Sequence, residues 1–560
     1  MKRAIIIFAG IFAAMTVFQS CDESLLDIPQ QGVQSEESFY KTDEDAEAAI
    51  AAVYQRFRFT NFGQTTARGG GDRERASGTV MHIAGIWLKE LLADDMISGK
   101  DDEPFGQCAV RANDPYVQWY YGIFYQTIYL ANVILTKFEP GQSEVIDRAI
   151  AEAKFFRAYC YYELTTLWDE VPLVDRILAT TEEQQVPAAS QEELWAFIEK
   201  DLNEALSCPY IPTKTNINDL DGAGRLTTQA IRTLMGKVYL WQKKYHEAVE
   251  AMKPIIESKA YKLVDDSGVF YHTSGNGCPE YIMETVRYYD TNNMDYQYGW
   301  KAISINWEFG YYLFAGPEAT KHYDFASSGY GWGFLEASED LYNTFMREEG
   351  ENGYRYQRAI VPVEKLREMN LRFGYDATCA GKYGYLQFKL LPTDADDPYT
   401  AQYYGVNCST PVFRYADVLL MMSEACFNDG DKASAEEYLN AVRTRAQLKP
   451  KSGITMDDIK LERRLELCME GLRWQDIKRW GDAPTILKDK GKKIPMYEII
   501  RDPDNDYYTA EGIYNAKYTF RRYYIDNIIS DCGWQDRDIV LPFPETEILT
   551  NKALKQKYDY

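Results

Sequence analysis

Apolar residues recur along much of this chain with the period of an α-helix. Between Asp43 and Phe59 they fall at Ala46, Ile50, Val53, Tyr54 and Phe57, which predicts a first helix with one buried face. His82 to Asp95 reads as a second, with Trp87, Leu91 and Leu92 inward. Pro115 follows Asp114, a proline at the first helical position behind an N-cap aspartate, and predicts a helix to about Phe138. Pro140-Gly141 turns the chain, and the next helix is expected from Val145 to Trp168, with Phe155, Ala158, Tyr159 and Tyr162 as its inner stripe. Two later helix pairs carry tetratricopeptide-like offsets. Met235-Gly236, Tyr239, Ala248 and Met252 make one set; Met422-Ser423, Ala435, Leu439 and Val442 make the other, with Gly430 in the turn. Small residues at these places predict close helix packing. Leu461, Leu465, Cys468 and Leu472 then predict one buried stripe within Leu461–Gly481, flanked by Glu466 and Glu470 alternating with Arg463, Arg464 and Arg473. Gly471 marks a close helix contact or a break, and Gly481 a C-terminal stop.

The helical period fades between Lys259 and Pro411. This stretch is far longer than an ordinary connection, and connections of that length are commonly functional. Tyr296, Tyr298, Trp300, Trp307, Phe309, Tyr311, Tyr312, Phe314, Tyr323, Phe325, Tyr330, Trp332 and Phe334 crowd its middle. After Gly481 the chain reads as irregular again. At the start, Lys2 and Arg3 precede an apolar run from Ala4 to Phe18, too short to span a bilayer, and Gln19-Ser20-Cys21 follows. This pattern predicts a lipoprotein signal peptide cleaved before Cys21, although Phe18 departs from the strictest form of such a signal. The resulting division is a signal at 1–20, a lipidated tether at 21–42, an N-terminal helical region at 43–258, an aromatic-rich insertion at 259–411 and a C-terminal region at 412–560.

A formal charge of −24 over 560 residues argues against nucleic acid, which requires clustered Lys and Arg, and against a polybasic membrane patch. The 44 tyrosines and 11 tryptophans in so acidic a chain fit stacking on sugar rings, since these side chains join an apolar face to a polar tip; a tyrosine-rich core is the competing explanation for any one ring. Ten cysteines without metal-type spacing predict mostly buried thiols, and the histidines stand singly at positions 82, 246, 272 and 322. No HExxH, P-loop or GxSxG motif occurs.

The wording of Leu461–Gly481 is more specific than its periodicity. Glu462, Arg463, Arg464, Glu466, Leu467, Glu470, Gly471, Arg473, Trp474, Asp476, Arg479, Trp480 and Gly481 fit E-R-R-x-E-L-x-x-E-G-x-R-W-x-D-(I/L)-x-R-W-G, which resembles the hallmark of the SusD/RagB family of surface glycan-binding lipoproteins. Four further stretches are similar to that family. They are the acidic start Cys21–Pro29; Trp168–Val174, with Asp169 where the family's W-G-x-V-P-L has glycine; Arg414–Met421; and the closing Leu541–Ile548. The resemblance implies a mostly α, tetratricopeptide-like scaffold carrying an irregular loop-rich subdomain. It further implies a non-enzymatic lipoprotein, anchored through Cys21 in the outer membrane and exposed at the cell surface, which binds oligosaccharide or polysaccharide and delivers it to a SusC-like TonB-dependent transporter.

A sugar ring offers an apolar C–H face and wants polar partners in its plane, so Trp300, Trp307, Tyr311, Tyr330 and Trp332 are the expected stacking residues. Because relatives place part of their binding surface in loops after the first two helices, Arg68, Asp72 and Asn113 join them as polar candidates. Asp502, Asp504 and Asp506 alternate oxygen donors as a Ca²⁺ loop does, without its sixth-position glycine or twelfth-position glutamate. The Asp94-Asp95, Asp101-Asp102 and Asp396-Asp397 pairs raise a glycoside hydrolase as an alternative, although adjacent carboxylates are not the cleft-spanning pair that hydrolysis needs. The remaining alternatives are a repeat-based adaptor for protein partners and a transporter partner that captures peptide or another nutrient.

Overall fold

The computed structural model describes residues 39–58, 60–61, 78–79, 81–98, 104–219, 224–285, 313–315, 335–366, 371–373, 384–390, 409–501, 507–508, 514–515, 518–526 and 533–560. Helices form where the apolar period predicts them. Helix α1 spans Asp43–Arg58, α2 Met81–Leu92, α3 Pro115–Lys137 and α4 Glu144–Trp168. Asp114 caps α3 by accepting from the amides of Tyr116 and Val117, and Ser143 caps α4. Helix α5 (Gln191–Leu206) opens on a Ser190/Glu193 capping box. Then come α6 (Thr228–Trp241), α7 (Tyr245–Glu257), α8 (Glu339–Glu348), α9 (Tyr415–Asp429), α10 (Lys432–Arg445), α11 (Met456–Leu467) and α12 (Arg473–Trp480).

Successive helices pack as hairpins: α3 on α4, α4 on α5, α6 on α7 and α9 on α10. Helix α9 also lies against α7 and α11, which joins the N-terminal helices to the C-terminal ones. The tetratricopeptide-like letters do what their sizes predict. A Cβ on Gly236 would sit 2.5 Å from the Met252 sulfur, so α6 and α7 approach closely enough that a larger residue would have to displace the Met252 side chain. In the second pair the Ser423 hydroxyl donates to the Ala435 carbonyl at 2.8 Å, tying α9 to α10. Phe155, Ala158, Tyr159 and Tyr162 are all buried in the core. Cys108, Cys160, Cys278, Cys426 and Cys468 are buried free thiols, and Cys208 is half-buried. Among the described residues, no helix is long and apolar enough to cross a membrane.

Leu461–Gly481 breaks where Gly471 marks it: α11 ends at Leu467 and α12 begins at Arg473, with Gly471 at φ +75° in between. Two expectations are corrected. The charges of Leu461–Gly481 do not flank its apolar stripe at the surface, although Leu465 and Cys468 of that stripe are buried. Leu461 and Leu472 are only half-buried, whereas Glu462, Arg463, Glu466, Glu470, Arg473 and Asp476 are buried. Finally, the chain after Gly481 is not irregular, because Lys493–Arg501 and Tyr518–Asp526 pair antiparallel as a long hairpin.

The described part of the 259–411 stretch also holds more order than its faded period suggests. Tyr281–Thr285 pairs antiparallel with Thr410–Arg414. A small antiparallel sheet aligns Met96–Ser98, Leu335–Ala337, Tyr385–Gln387 and Ile360–Pro362 in that order. Helix α8 hides in the sequence because it is ten residues long and buries only Leu341, Thr344 and Phe345.

Candidate functional site

The hallmark charges occupy the interior, where ion pairs must replace water. Arg414, at the end of its strand, donates to Glu280 (2.9 Å), Glu466 (2.8 Å) and both carboxylate oxygens of Glu470 (2.6 Å each). Arg445 reaches Glu280 and Glu466, and Arg355 reaches Glu349 and Glu462. Lys389 donates to the Glu466 and Cys468 carbonyls and to Glu470, filling the carbonyl end of α11 with positive charge. Burial opposes ionisation of Glu466, but Arg445, Arg414 and Arg355 outweigh it and hold that carboxyl well below the usual range.

On another side of the same helices, Arg463 bridges Asp476 (2.9 Å) and Asp417 (3.0 Å), Lys237 meets Asp417 at 2.5 Å, and Arg479 joins Glu424 and Asp476. Although burial works against its charge, Lys237 and Arg463 hold Asp417 down at about 2. Arg464 and Arg473 take Asp94 and Asp95, with Asp340 completing the group. Gly471 is fixed by its amide donating to Glu90 at 2.7 Å, and a Cβ there would meet the Ile86 backbone at 2.7 Å. Burial, reinforced by Asp95, pushes the Glu90 carboxyl up to about 8 against the pull of that amide.

The other recurring stretches meet this centre. The Trp168 indole donates to the Pro542 carbonyl at 2.8 Å and the Leu541 amide to the Leu167 carbonyl at 2.9 Å, so the closing segment docks on the end of α4. Asp169, standing where the family pattern has glycine, adopts φ +68°, a backbone conformation glycine takes without strain. Lys478 (3.2 Å) and Lys557 (2.8 Å) hold its carboxylate, contacts that a glycine lacks.

Most of the sequence-predicted site residues, Trp300, Trp307, Tyr311, Tyr330, Trp332, Arg68 and Asp72, lie outside the described residues, as do Cys21, Asp101, Asp102 and the candidate Ca²⁺ ligands Asp502, Asp504 and Asp506. Asn113 is described. It is exposed in the turn before Asp114, beside the closing segment, whose Glu545 amide donates to the Ala112 carbonyl at 2.8 Å. Of the Asp94-Asp95 pair, weighed as hydrolase carboxylates, Asp95 is buried and Asp94 half-buried, and both are committed to Arg464 and Arg473.

Where the hairpin meets the small sheet, rings come to the surface. Tyr524 is 55% exposed, and its hydroxyl donates to Glu339 at 2.9 Å. Arg522, two residues back on the same face of the strand, pairs with Glu339 at 2.8 Å and donates to the Tyr385 hydroxyl at 3.2 Å. Its guanidinium lies 5.3 Å from the Tyr385 ring and 5.7 Å from the Tyr524 ring. Tyr385 in turn stacks on Tyr342, with ring centroids 4.5 Å apart and planes at 25°. Sequence reasoning missed this group. The nearest signal was the cluster of aromatic and arginine side chains in Tyr518–Asp526, where Arg522 and Tyr524, two apart, share one strand face.

A second feature is an open recess of about 580 Å³ lined by Leu173, Val186, Pro187, Ala189, Ala196 and Phe197 along with Glu193 and Lys200. Its one ring, Phe197, is already engaged edge-on by Tyr161 and covered by the Arg157 guanidinium at 4.8 Å.

Comparison with known proteins accounts for this frame. A sequence model described as the SusD family matches residues 279–560, and a second, described as starch-binding associating with outer membrane, matches residues 94–240. A SusD-like protein of Bacteroides ovatus is 24% identical over 99% of this chain and 98% of its own length. Among solved structures, a laminarin binding SusD-like protein superposes with a TM-score of 0.70 at 25% identity, covering 93% of this chain and 100% of that one. Surface glycan-binding protein A from Bacteroides thetaiotaomicron, in complex with laminarihexaose, shares the fold at 19% identity with a TM-score of 0.67, over 92% of this chain and 99% of that one. With its hallmark helices matched and its length spanned from end to end, this chain belongs to the SusD family.

Proposed function

We propose that this protein captures oligosaccharide at the cell surface and passes it to a SusC-like TonB-dependent transporter in the outer membrane, held there by acyl chains on Cys21. The observation that carries the proposal is the end-to-end likeness to the laminarin binding SusD-like protein. The printed description of the family segment at 94–240 supports the membrane setting. Capture without turnover fits the interior role of Asp94 and Asp95, which removes one carboxylate pair a hydrolase would use. Sugar would be held by rings beneath its apolar face and polar groups at its edge. By analogy with bases on aromatic side chains, each stacked ring contributes roughly 1–3 kcal/mol, so a few of them reach micromolar to millimolar affinity after ordering costs.

The test is titration of the purified full-length protein in detergent micelles with laminarin, starch, other plant and microbial glycans and a peptide digest, following tryptophan fluorescence and heat. Saturable binding of a glycan without product formation is expected. Binding of peptide alone would overturn the glycan reading and leave a nutrient-capture role, while glycan cleavage at enzyme-like rates would overturn capture itself. Purification from native outer membranes should bring a TonB-dependent barrel along with the protein, and its absence would remove the transporter partnership.

A further inference from the structure

We propose that the group centred on Tyr524 is a glycan subsite, and that it takes a stretch of uncharged sugar chain. This rests on the glycan-capture reading above and adds to it a place and a substrate class. Among the described residues, the large hydrophobic side chains that remain exposed are Tyr129, Tyr210, Tyr524, Leu549 and Tyr558. Tyr524 combines that exposure with a ring held in place from both ends: its hydroxyl is tied to Glu339 and its ring lies beside the Arg522 guanidinium. Arg522 is itself braced against Tyr385, and Tyr385 against Tyr342. A ring fixed before the ligand arrives loses little freedom on binding, so more of the stacking energy appears as affinity.

The anchoring residues come from three separate elements, namely the first turns of α8, the strand Tyr385–Gln387 and the hairpin strand Tyr518–Asp526. Core packing does not account for Tyr524, because more than half of it faces solvent. Its neighbour Tyr523 points to the opposite face of the strand, where Arg521 covers it at 5.2 Å.

The charge of the group selects the class of sugar. Arg522 is neutralised by Glu339, and a second carboxylate, the exposed Glu364, also faces it. A sulfate or uronate on this ring would meet carboxylates before it met an uncommitted cation, in a protein whose formal charge is −24. Neutral hydroxyls find both a guanidinium donor and a carboxylate acceptor at the ring's edge.

The test measures affinity of the full-length protein and of Tyr524→Ala, Tyr524→Phe and Tyr129→Ala by calorimetry and affinity electrophoresis. Laminarihexaose, maltohexaose, cellohexaose and mannohexaose serve as neutral probes, and polygalacturonate and a sulfated galactan as charged ones. At least one neutral probe should bind; Tyr524→Ala should weaken it about tenfold or more, Tyr524→Phe only two- to threefold, and Tyr129→Ala not at all, with unchanged melting temperatures throughout. Wild-type binding that survives Tyr524→Ala would overturn the subsite while leaving glycan capture intact. Preference for a charged probe, lost in Tyr524→Ala, would overturn the assigned class. A wild-type protein that binds no carbohydrate would overturn the reading and the subsite together.

Discussion

Arg414 and Arg522 are both arginines at the ends of carboxylate-and-ring clusters, yet they serve opposite ends. Arg414 is 2% exposed, lies 5.0 Å from the Phe270 ring and spends its donors on three glutamates that come from a strand start, the last turn of α11 and the α11–α12 turn. Arg522 is 20% exposed, holds one glutamate and steadies tyrosines that face water. Burial is what separates them. In the interior, each charge without a partner is costly, so several residues must be the right ones at once, and that constraint writes a long readable motif. At the surface, a ring can be replaced or moved at small cost to the fold, so the binding face carries no fixed wording. The most recognisable stretch of this sequence therefore belongs to the scaffold.

Removing one member of the inner group should test this most severely. Arg414→Ala leaves Glu280, Glu466 and Glu470 buried beside one another and should cost about 3–5 kcal/mol in a denaturant titration. A loss below 1 kcal/mol would mean that water enters the cluster and that the contrast with Arg522 is false. Gly471→Ala forces a side chain into a positive-φ position against the Ile86 backbone, and a loss of about 1–3 kcal/mol is expected by the same measurement.

Acid and base should act on different parts of the interior. Glu90 titrates near 8 in the folded chain and near its ordinary 4.5 when unfolded, so the folded state keeps a proton that the unfolded state has lost between those values. Stability should then fall as pH rises from about 4.5 to 8, and Glu90→Gln should flatten that slope in melting curves. Asp417 has the reverse sign: held at about 2 against an ordinary 3.8, it contributes stability above pH 4 that is lost as pH falls through 2. The smallest expected effect lies at the other pole of the comparison. Tyr524→Ala should leave stability within about 0.5 kcal/mol of wild type, and a larger loss would make that ring structural.

Helix positions were legible because their faces obey a single period and some ends carry readable signals: Asp114 caps and Gly430 turns where sequence puts them. The interior of Leu461–Gly481 was not legible from periodicity, since burial of Glu466 depends on arginines far along the chain at 355, 414 and 445. A charge pattern that meets such distant partners looks, locally, like a solvated helix face. Tyr385, Arg522 and Glu339 were missed for the same reason: with Arg522 more than a hundred residues from both of the others, they meet only through the sheet and the hairpin. The aromatic candidates Trp300, Trp307, Tyr311, Tyr330 and Trp332 rest on composition, which says that rings are abundant and leaves open which of them line a site.

The pairing of Tyr281–Thr285 with Thr410–Arg414 has its own consequence. The aromatic-rich stretch leaves the helices and returns to them at adjacent backbone positions, stitched shut by a two-stranded seam whose last residue is Arg414 itself. Lengthening such an excursion raises its closure cost only logarithmically, by about 0.6 kcal/mol per doubling. New loops can thus be inserted between the two strands at small cost, so long as α8, Arg355 and Lys389, which lie inside the excursion and join the buried ion pairs, are kept.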